Sequence, residues 1–289
     1  MRVLVTGAGG QVGRAVIASA PPSATITALT HRDLDIGDEA AVSERVAREH
    51  PELIINAAGY TAVDRAESEP QLARRANADG PRHLAQAGHA VGARLLHVST
   101  DYVFDGRTSM PYTPTATTHP LNVYGSSKRA GELAVLEQPG AATLILRTAW
   151  LYSPGGANFV LTMLRLMRSH GRVRVVADQI GTPTSADSVA SALWALAARP
   201  DLHGIQHWTD AGTASWYDFA CAIAEEALGV GLLSAAVTVE PITTPEYPTA
   251  APRPTYSVLD STALRTALAL PAVYWRTRLR TMLEALARG

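Results

Sequence analysis

Tyr124 and Lys128 stand four residues apart in the stretch NVYGSSKRAGE, at the predicted start of a helix. That spacing puts both on one helix face, where a phenol and an ammonium can serve a single site. Tyrosine and lysine also meet this way by chance on solvated helices, so the pair gains meaning only from what surrounds it. Upstream, HVSTDYVFDG reads as a strand that ends in Ser99, Thr100 and Asp101. A hydroxyl, a phenol and an ammonium together suit carbonyl reduction. Thr100 would hydrogen-bond the carbonyl oxygen, Tyr124 would exchange its proton, and Lys128 would tune Tyr124 and hydrogen-bond a nicotinamide ribose. The tuning is needed because a free phenol titrates at about pH 10, and a neighbouring ammonium favours phenolate.

Such chemistry requires a hydride source, and the first strand leads into one. VTGAGGQVG places Gly7, Gly10 and Gly13 between an apolar strand and an apolar helix. Glycines there let the backbone turn sharply and approach a pyrophosphate, whose charge then sits at the helix N-terminus. The second strand, TITAL, runs into Thr30, His31 and Arg32, and the acids Asp33 and Asp35 come later. A cation at that strand end accommodates the 2'-phosphate of NADP, whereas an acid would select NAD. NADPH is therefore the expected cofactor, with NADH possible. Asp35 could instead contact adenine or cap the next helix.

The elements that must position these residues follow from the apolar runs RVLVTG, TITAL, ELIINAAG, ARLLHVST and ATLILRTAW, each a strand between helical stretches. Uniformly apolar strands alternating with helices imply an α/β fold, a doubly wound parallel sheet (Rossmann) with helices on both faces. After Trp150 the pattern changes. FVLTMLRLMRSH and TASWYDFACAIAEEAL read as helices, DQIGTPTSADSV as a proline turn and helix cap, and Glu240 to Pro254, rich in proline, as an extended surface loop. The expected organisation is 1–150 as an NADP-binding domain and 151–289 as a smaller substrate-binding domain, with some segments returning to the Rossmann sheet.

The chain's 289 residues suffice for one large or two smaller units, and a net charge of -1 gives no reason to expect nucleic acid or an anionic membrane as partner. No apolar run approaches the roughly 20 residues of a membrane span. Cys221 is the one cysteine, and the first predicted strand begins at Arg2, leaving no room for a signal peptide; the expected location is cytoplasmic. The nine histidines show no ligand spacing, and no metal is expected.

The stretches GQVG, NAAGYTAVDRAESEP, STDYVFDG, PLNVYGSSKRAGE, RTAWLY, NFVLTMLRL, DQIGTPT and RPTYSVLD resemble the extended short-chain dehydrogenase/reductase superfamily and, within it, the dTDP-4-dehydrorhamnose reductase family. The resemblance implies NADPH-dependent reduction of the 4-keto group of dTDP-4-dehydro-6-deoxy-L-hexose, giving dTDP-L-rhamnose. It also implies that Thr100, Tyr124 and Lys128 are the catalytic set. Gly10, Gln11, Val12, Asp35, Ile36, Ala57, Ala58 and Gly59 match cofactor-contacting positions. Val63, Thr100, Asp101 and Trp150 match positions near the deoxyhexose or nucleotide, and Arg253 is the candidate for the diphosphate. Some relatives carry a glutamate that helps build a metal-bridged dimer where this chain has Ala15, so a monomer or weak homodimer is expected here.

Rival activities are separated by single residues. Sugar-nucleotide 4,6-dehydratases follow the threonine with an Asp-Glu pair, whereas this chain reads Thr100-Asp101-Tyr102. Epimerases share the tyrosine and lysine and differ in the other motifs. A non-catalytic NADP-binding regulatory subunit would not need the intact Thr100, Tyr124 and Lys128.

Overall fold

The computed structural model describes residues 1–138 and 142–288. Six strands form one parallel sheet: β1 (Arg2–Thr6), β2 (Thr25–Leu29), β3 (Leu53–Asn56), β4 (Arg94–Thr100), β5 (Thr143–Thr148) and β6 (Gly204–His207), in the spatial order β6-β5-β4-β3-β1-β2. Every pairing is parallel. The chain leaves β1 toward β2 and then crosses back to β3, so the direction of winding reverses between β1 and β3. Ligands of such sheets bind in the crevice outside the strand ends at that switch point.

Alternate residues of each strand face opposite layers. Val3, Val5, Leu53, Ile55, Leu96, Leu144 and Leu146 pack under α1 (Gln11–Ala18) and the later helix Ala186–Ala197. Leu4, Ile54, Leu95 and Ile145 pack under Glu39–Glu49, Gly80–Ala90 and Val123–Leu136. Burial on both faces explains the long apolar runs of the inner strands β1, β3, β4 and β5, whereas β2, at the sheet edge, is only partly buried.

The sixth strand, GIQH, carries no apolar run of that kind. With the helix Ala186–Ala197 it returns the chain to this layer, and Trp194 Nε1 donates to the Val16 carbonyl at 3.0 Å. The remaining elements gather around a separate core. Tyr152, Phe159–Ser169, Trp216–Gly229 and Trp275–Arg288 bury Val160, Leu164, Phe219, Ile223, Trp275 and Leu279 together.

One expectation is corrected here. The segment Glu240 to Pro254 is not loop throughout, because Thr238–Ile242 is a strand paired in parallel with Arg172–Val176. Pro241 opposes Val175 within it. This ribbon has only two strands, and proline is tolerated where one side of a strand makes no ladder.

Candidate active site

Helix Val123–Leu136 begins at Asn122, whose side-chain oxygen accepts from Gly125 N at 2.7 Å while its amide donates to the Pro252 carbonyl at 2.8 Å. One residue thus caps the helix and ties the 249–257 strap to it. Tyr124 lies in the first turn and Lys128 one turn later, both buried, and Thr100 is buried at the end of β4. Lys128 Nζ donates to the Val98 carbonyl of β4 at 2.7 Å. The structure therefore brings the helix pair and the strand-end hydroxyl together.

Their electrostatics differ from the sequence expectation. Burial pushes the Tyr124 phenol up to about 12, a hydrogen bond with Thr100 opposes this, and the Asp101 charge adds to it. Lys128 does not act to lower it; its ammonium is engaged by the Val98 carbonyl, and burial brings it down to about 8 against the pull of Glu132. The phenol is thus held in its protonated form. Asp101 is raised to about 6 by burial, against the hydroxyls of Ser257 and Thr100, the latter donating to Oδ1 at 3.1 Å.

The cofactor positions converge on the switch point. Gly7 adopts φ +72°, which favours glycine, and a Cβ there would stand 2.5 Å from the Ala57 carbonyl carbon and the Ala58 nitrogen. The loop after β1 is pressed against the loop after β3, and only a bare backbone fits. A Cβ on Gly13 would overlap the Gly7 carbonyl, so this glycine seats α1 against the turn. Gly10 is the helix N-cap, and Gly59 meets Asn77 Oδ1 and lies near Lys128 Nζ. These features form a backbone cradle at a helix N-terminus, which fits a dinucleotide pyrophosphate.

Other expected positions are more qualified. Val12 is buried in the core behind the loop. Gln11 Oε1 accepts from Ser153 Oγ at 2.9 Å and Asn158 Nδ2 at 3.2 Å, joining the cradle to the second core. Arg32 is exposed beyond β2, the Asp33 carboxylate is turned back onto Thr30, and Asp35 pairs with Arg75 at 2.7 Å. Ile36 is buried against Gly80. Ala15 faces the chain's own core beside Ala186 and Ala190.

Around the expected substrate side, Val63 and Tyr102 pack on the Tyr124 cluster. Trp150 holds φ +47° and stacks on Trp216 with centroids 3.5 Å apart, filling the space that Gly181 leaves open. Strain at a bulky residue of this kind marks a position fixed by its surroundings. The Arg253 guanidinium is not free: it grips both oxygens of Asp64 at 2.6 and 2.7 Å and reaches the Ala251 carbonyl.

Three contributors were not singled out from the sequence. Asn77, in the π-helical turn Arg75–Asp79, donates to the Tyr60 carbonyl and to Ser127 Oγ and accepts from Tyr60 N, bolting the loop after β3 to the Tyr124 helix. Nothing in the letters around it signals this. Asn122 stands directly before a helical pattern, which is a cap signal. Glu132 stands four residues after Lys128, and its partners are visible only in the fold.

A family model described as the RmlD substrate binding domain matches residues 1–288. A dTDP-4-dehydrorhamnose reductase of Streptomyces griseus is 45% identical over 290 residues, spanning 99% of this chain and 94% of that protein. The chain belongs to the dTDP-4-dehydrorhamnose reductase family. Among solved structures, a protein of this family from Clostridium acetobutylicum superposes with a TM-score of 0.92 at 37% identity, covering 99% of both chains. The family's reductase from Bacillus anthracis, solved in complex with NADP, gives a TM-score of 0.92 at 38% identity, covering 97% of this chain and 98% of that one.

Proposed function

We propose that this chain reduces the 4-keto group of dTDP-4-dehydro-6-deoxy-L-hexose with NADPH, giving dTDP-L-rhamnose. The observation that carries the reading is the buried trio of Thr100, protonated Tyr124 and Lys128 at the carboxyl end of β4, beside a glycine cradle in a chain of this family. NADPH, when bound, supplies the hydride. Gly7, Gly10, Gly13 and the backbone of Ala57 to Gly59 would hold its phosphates and ribose side, with Arg32 beside the 2'-phosphate. Lys128 would donate to the ribose.

The chain's own groups handle the proton. Thr100 donates to the substrate oxygen, and Tyr124 delivers a proton as charge develops there. A raised phenol pKa suits this direction, because the acid form is required at neutral pH and the alkoxide is a far stronger base. Asp101, Val63, Trp150 and Arg253 belong to the sugar-nucleotide side, and Arg253 would have to be shared with or released by Asp64. Tyr102 occupies the place where a dehydratase has a carboxylate, so acid-base loss of water lacks its second group.

Among the described residues no helix is long and apolar enough to cross a membrane. In this reading the enzyme is cytoplasmic and a monomer or weak homodimer. Loss of NADPH absorbance with a panel of dTDP-4-keto-6-deoxyhexoses, followed by NMR of each product, tests the assignment. Turnover of the rhamnose precursor is expected. NADPH binding without turnover of any member would instead support a regulatory subunit.

A further inference from the structure

Beneath the Tyr124 helix lies a buried polar layer to which the reaction as proposed gives no role. Glu132 is fully buried one turn after Lys128. Its carboxylate accepts from Ser99 Oγ at 2.6 Å, from Arg147 Nε and a terminal nitrogen at 2.7 Å each, and from Arg129 at 2.9 Å. Ser99 immediately precedes Thr100, so the same carboxylate grips both the strand that carries the hydroxyl and the helix that carries the ammonium. Buried ion pairs are weak devices for stability, because desolvation offsets much of their attraction.

Lys128 suggests another use for the layer. It is the one lysine of the sequence, every other member of the Lys and Arg complement of 25 being arginine. Lysine is the cation that burial can discharge, whereas arginine stays charged. The charged and titratable groups that bear on it are His97 from β4 and Glu132 from its own helix, with Arg129 of that helix and Arg147 from β5 on the far side of the carboxylate. From the loop after β3 and the Arg75–Asp79 turn it meets Gly59 and the neighbourhood of Asn77, which carry no charge.

His97 does not compensate the ammonium. Asn56 Oδ1 is taken by Thr6 Oγ1 and Ala58 N, so its amide donates to His97 Nδ1 and leaves Nε2–H, without a partner among the described residues, as the ring's donor. A neutral imidazole results, and burial with the Lys128 charge keeps it so. Glu132 is then the anion that bears on Lys128.

We propose that Glu132 is a positioning residue of this site: clamped by Ser99, Arg129 and Arg147 one helical turn after Lys128, it ties the strand that carries Thr100 to the helix that carries Tyr124 and Lys128 and keeps an anion beside the Lys128 ammonium. The proposal rests on the reading of Lys128 as a charged cofactor-binding group. Because the sequence has one lysine, selective labelling with nitrogen-15 lysine gives a single side-chain resonance, and its titration can be followed in the ligand-free protein.

Glu132→Gln should lower the Lys128 midpoint by about one pH unit or more, the effect of removing a close opposite charge. Arg147→Gln, which leaves Glu132 paired with Arg129, should raise it. Glu132→Asp should restore a value near wild type. Simple loosening of the helix would instead send the midpoint upward in every variant, toward the ordinary lysine value of about 10.4. An unchanged or raised midpoint in Glu132→Gln overturns the proposal. If that variant does not fold, Arg147→Gln decides, with amide exchange of the Val123–Leu136 helix as control: a rise without faster exchange supports the clamp, and no rise overturns it. The pH dependence of the NADPH dissociation constant separates the two readings. Should the Lys128 midpoint move while NADPH binding ignores it, the role given to Lys128 fails and the role of Glu132 stands.

Discussion

A phenol that titrates at about 12 is protonated throughout the neutral range, so Tyr124 meets a developing alkoxide as an acid. Tyr124→Phe removes that proton and leaves the ring in its cluster with Ala66 and Ala73. It should lower kcat by about 10² to 10⁴ fold in a stopped-flow assay, with the NADPH dissociation constant unchanged. Arg32 acts at the other end of the cofactor. Asp33 accepts from Thr30 and Asp35 pairs with Arg75, so both carboxylates are engaged within the protein rather than offered to a ribose 2'-hydroxyl as selection of NAD would require. Arg32→Ala should therefore narrow the ratio of kcat/KM between NADPH and NADH, and equal ratios in the wild type would remove the assignment. Asp101 exposes a tension between stability and function. Its folded pKa of about 6 lies above the ordinary 3.8, so the stability it permits is full below the lower value and is lost as pH rises through the upper one. Asp101→Asn should then raise unfolding free energy at pH 7 by an amount on the order of 3 kcal/mol, with the gain vanishing toward about pH 4 in urea titrations. The sequence disclosed the identity of these groups but not their charge states. It suggested that Lys128 would lower the phenol's pKa, yet the ammonium is turned to the Val98 carbonyl, and the depth of burial, which no local pattern encodes, pushes the phenol up.

Helix Val123–Leu136 is the element on which the site turns, and its N-terminal end is fixed by Asn122. Asn122→Asp keeps the oxygen that caps the helix but loses the donor to the Pro252 carbonyl. Thermal unfolding should change by less than about 1 kcal/mol, the usual worth of a cap, while KM for the sugar nucleotide rises and NADPH affinity holds. A drop in NADPH affinity instead would mean that the strap serves the cofactor side. The main elements were legible where physics is local. The inner strands β1, β3, β4 and β5 could be read because a doubly covered sheet demands apolar residues on both faces, the edge strand β2 still carries Ile26, Ala28 and Leu29, and Ser215 with Asp218 closes a capping box at the start of the helix predicted from TASWYDFACAIAEEAL. The sixth strand was not, since GIQH holds a single large apolar residue, and its buried His207 is accommodated by a contact with the Tyr112 carbonyl at 3.0 Å that only the fold supplies. Pro241 hid the strand Thr238–Ile242, as proline argues against a strand except where one side is unpaired. The π-helical turn around Asn77 leaves no periodic trace at all.

At the scale of the whole molecule, two cores are joined by polar contacts across the crevice. Gln11 reaches Ser153 and Asn158 from the cradle, and the strap from Ala251 to Ser257 spans Asp64, Asn122, Gly106 and Ile180. Backbone bonds fix the far end of the strap, with Ile180 N donating to the Thr255 carbonyl and Ser257 N to the Ile180 carbonyl, each at 2.8 Å. Its near end depends on the Asp64–Arg253 pair, in which Asp64 is half exposed. That pair has a consequence for how the enzyme responds to ionic strength. Salt ordinarily weakens the capture of a diphosphate by an arginine. Here it also weakens the carboxylate that competes for the same arginine, so the two losses oppose one another. The wild-type KM for the sugar nucleotide should accordingly vary little between low and physiological salt, whereas Asp64→Asn should bind more tightly at low salt and lose that advantage steeply as salt is added. A wild-type salt dependence as steep as the variant's would show that Asp64 does not hold Arg253 back from an anion.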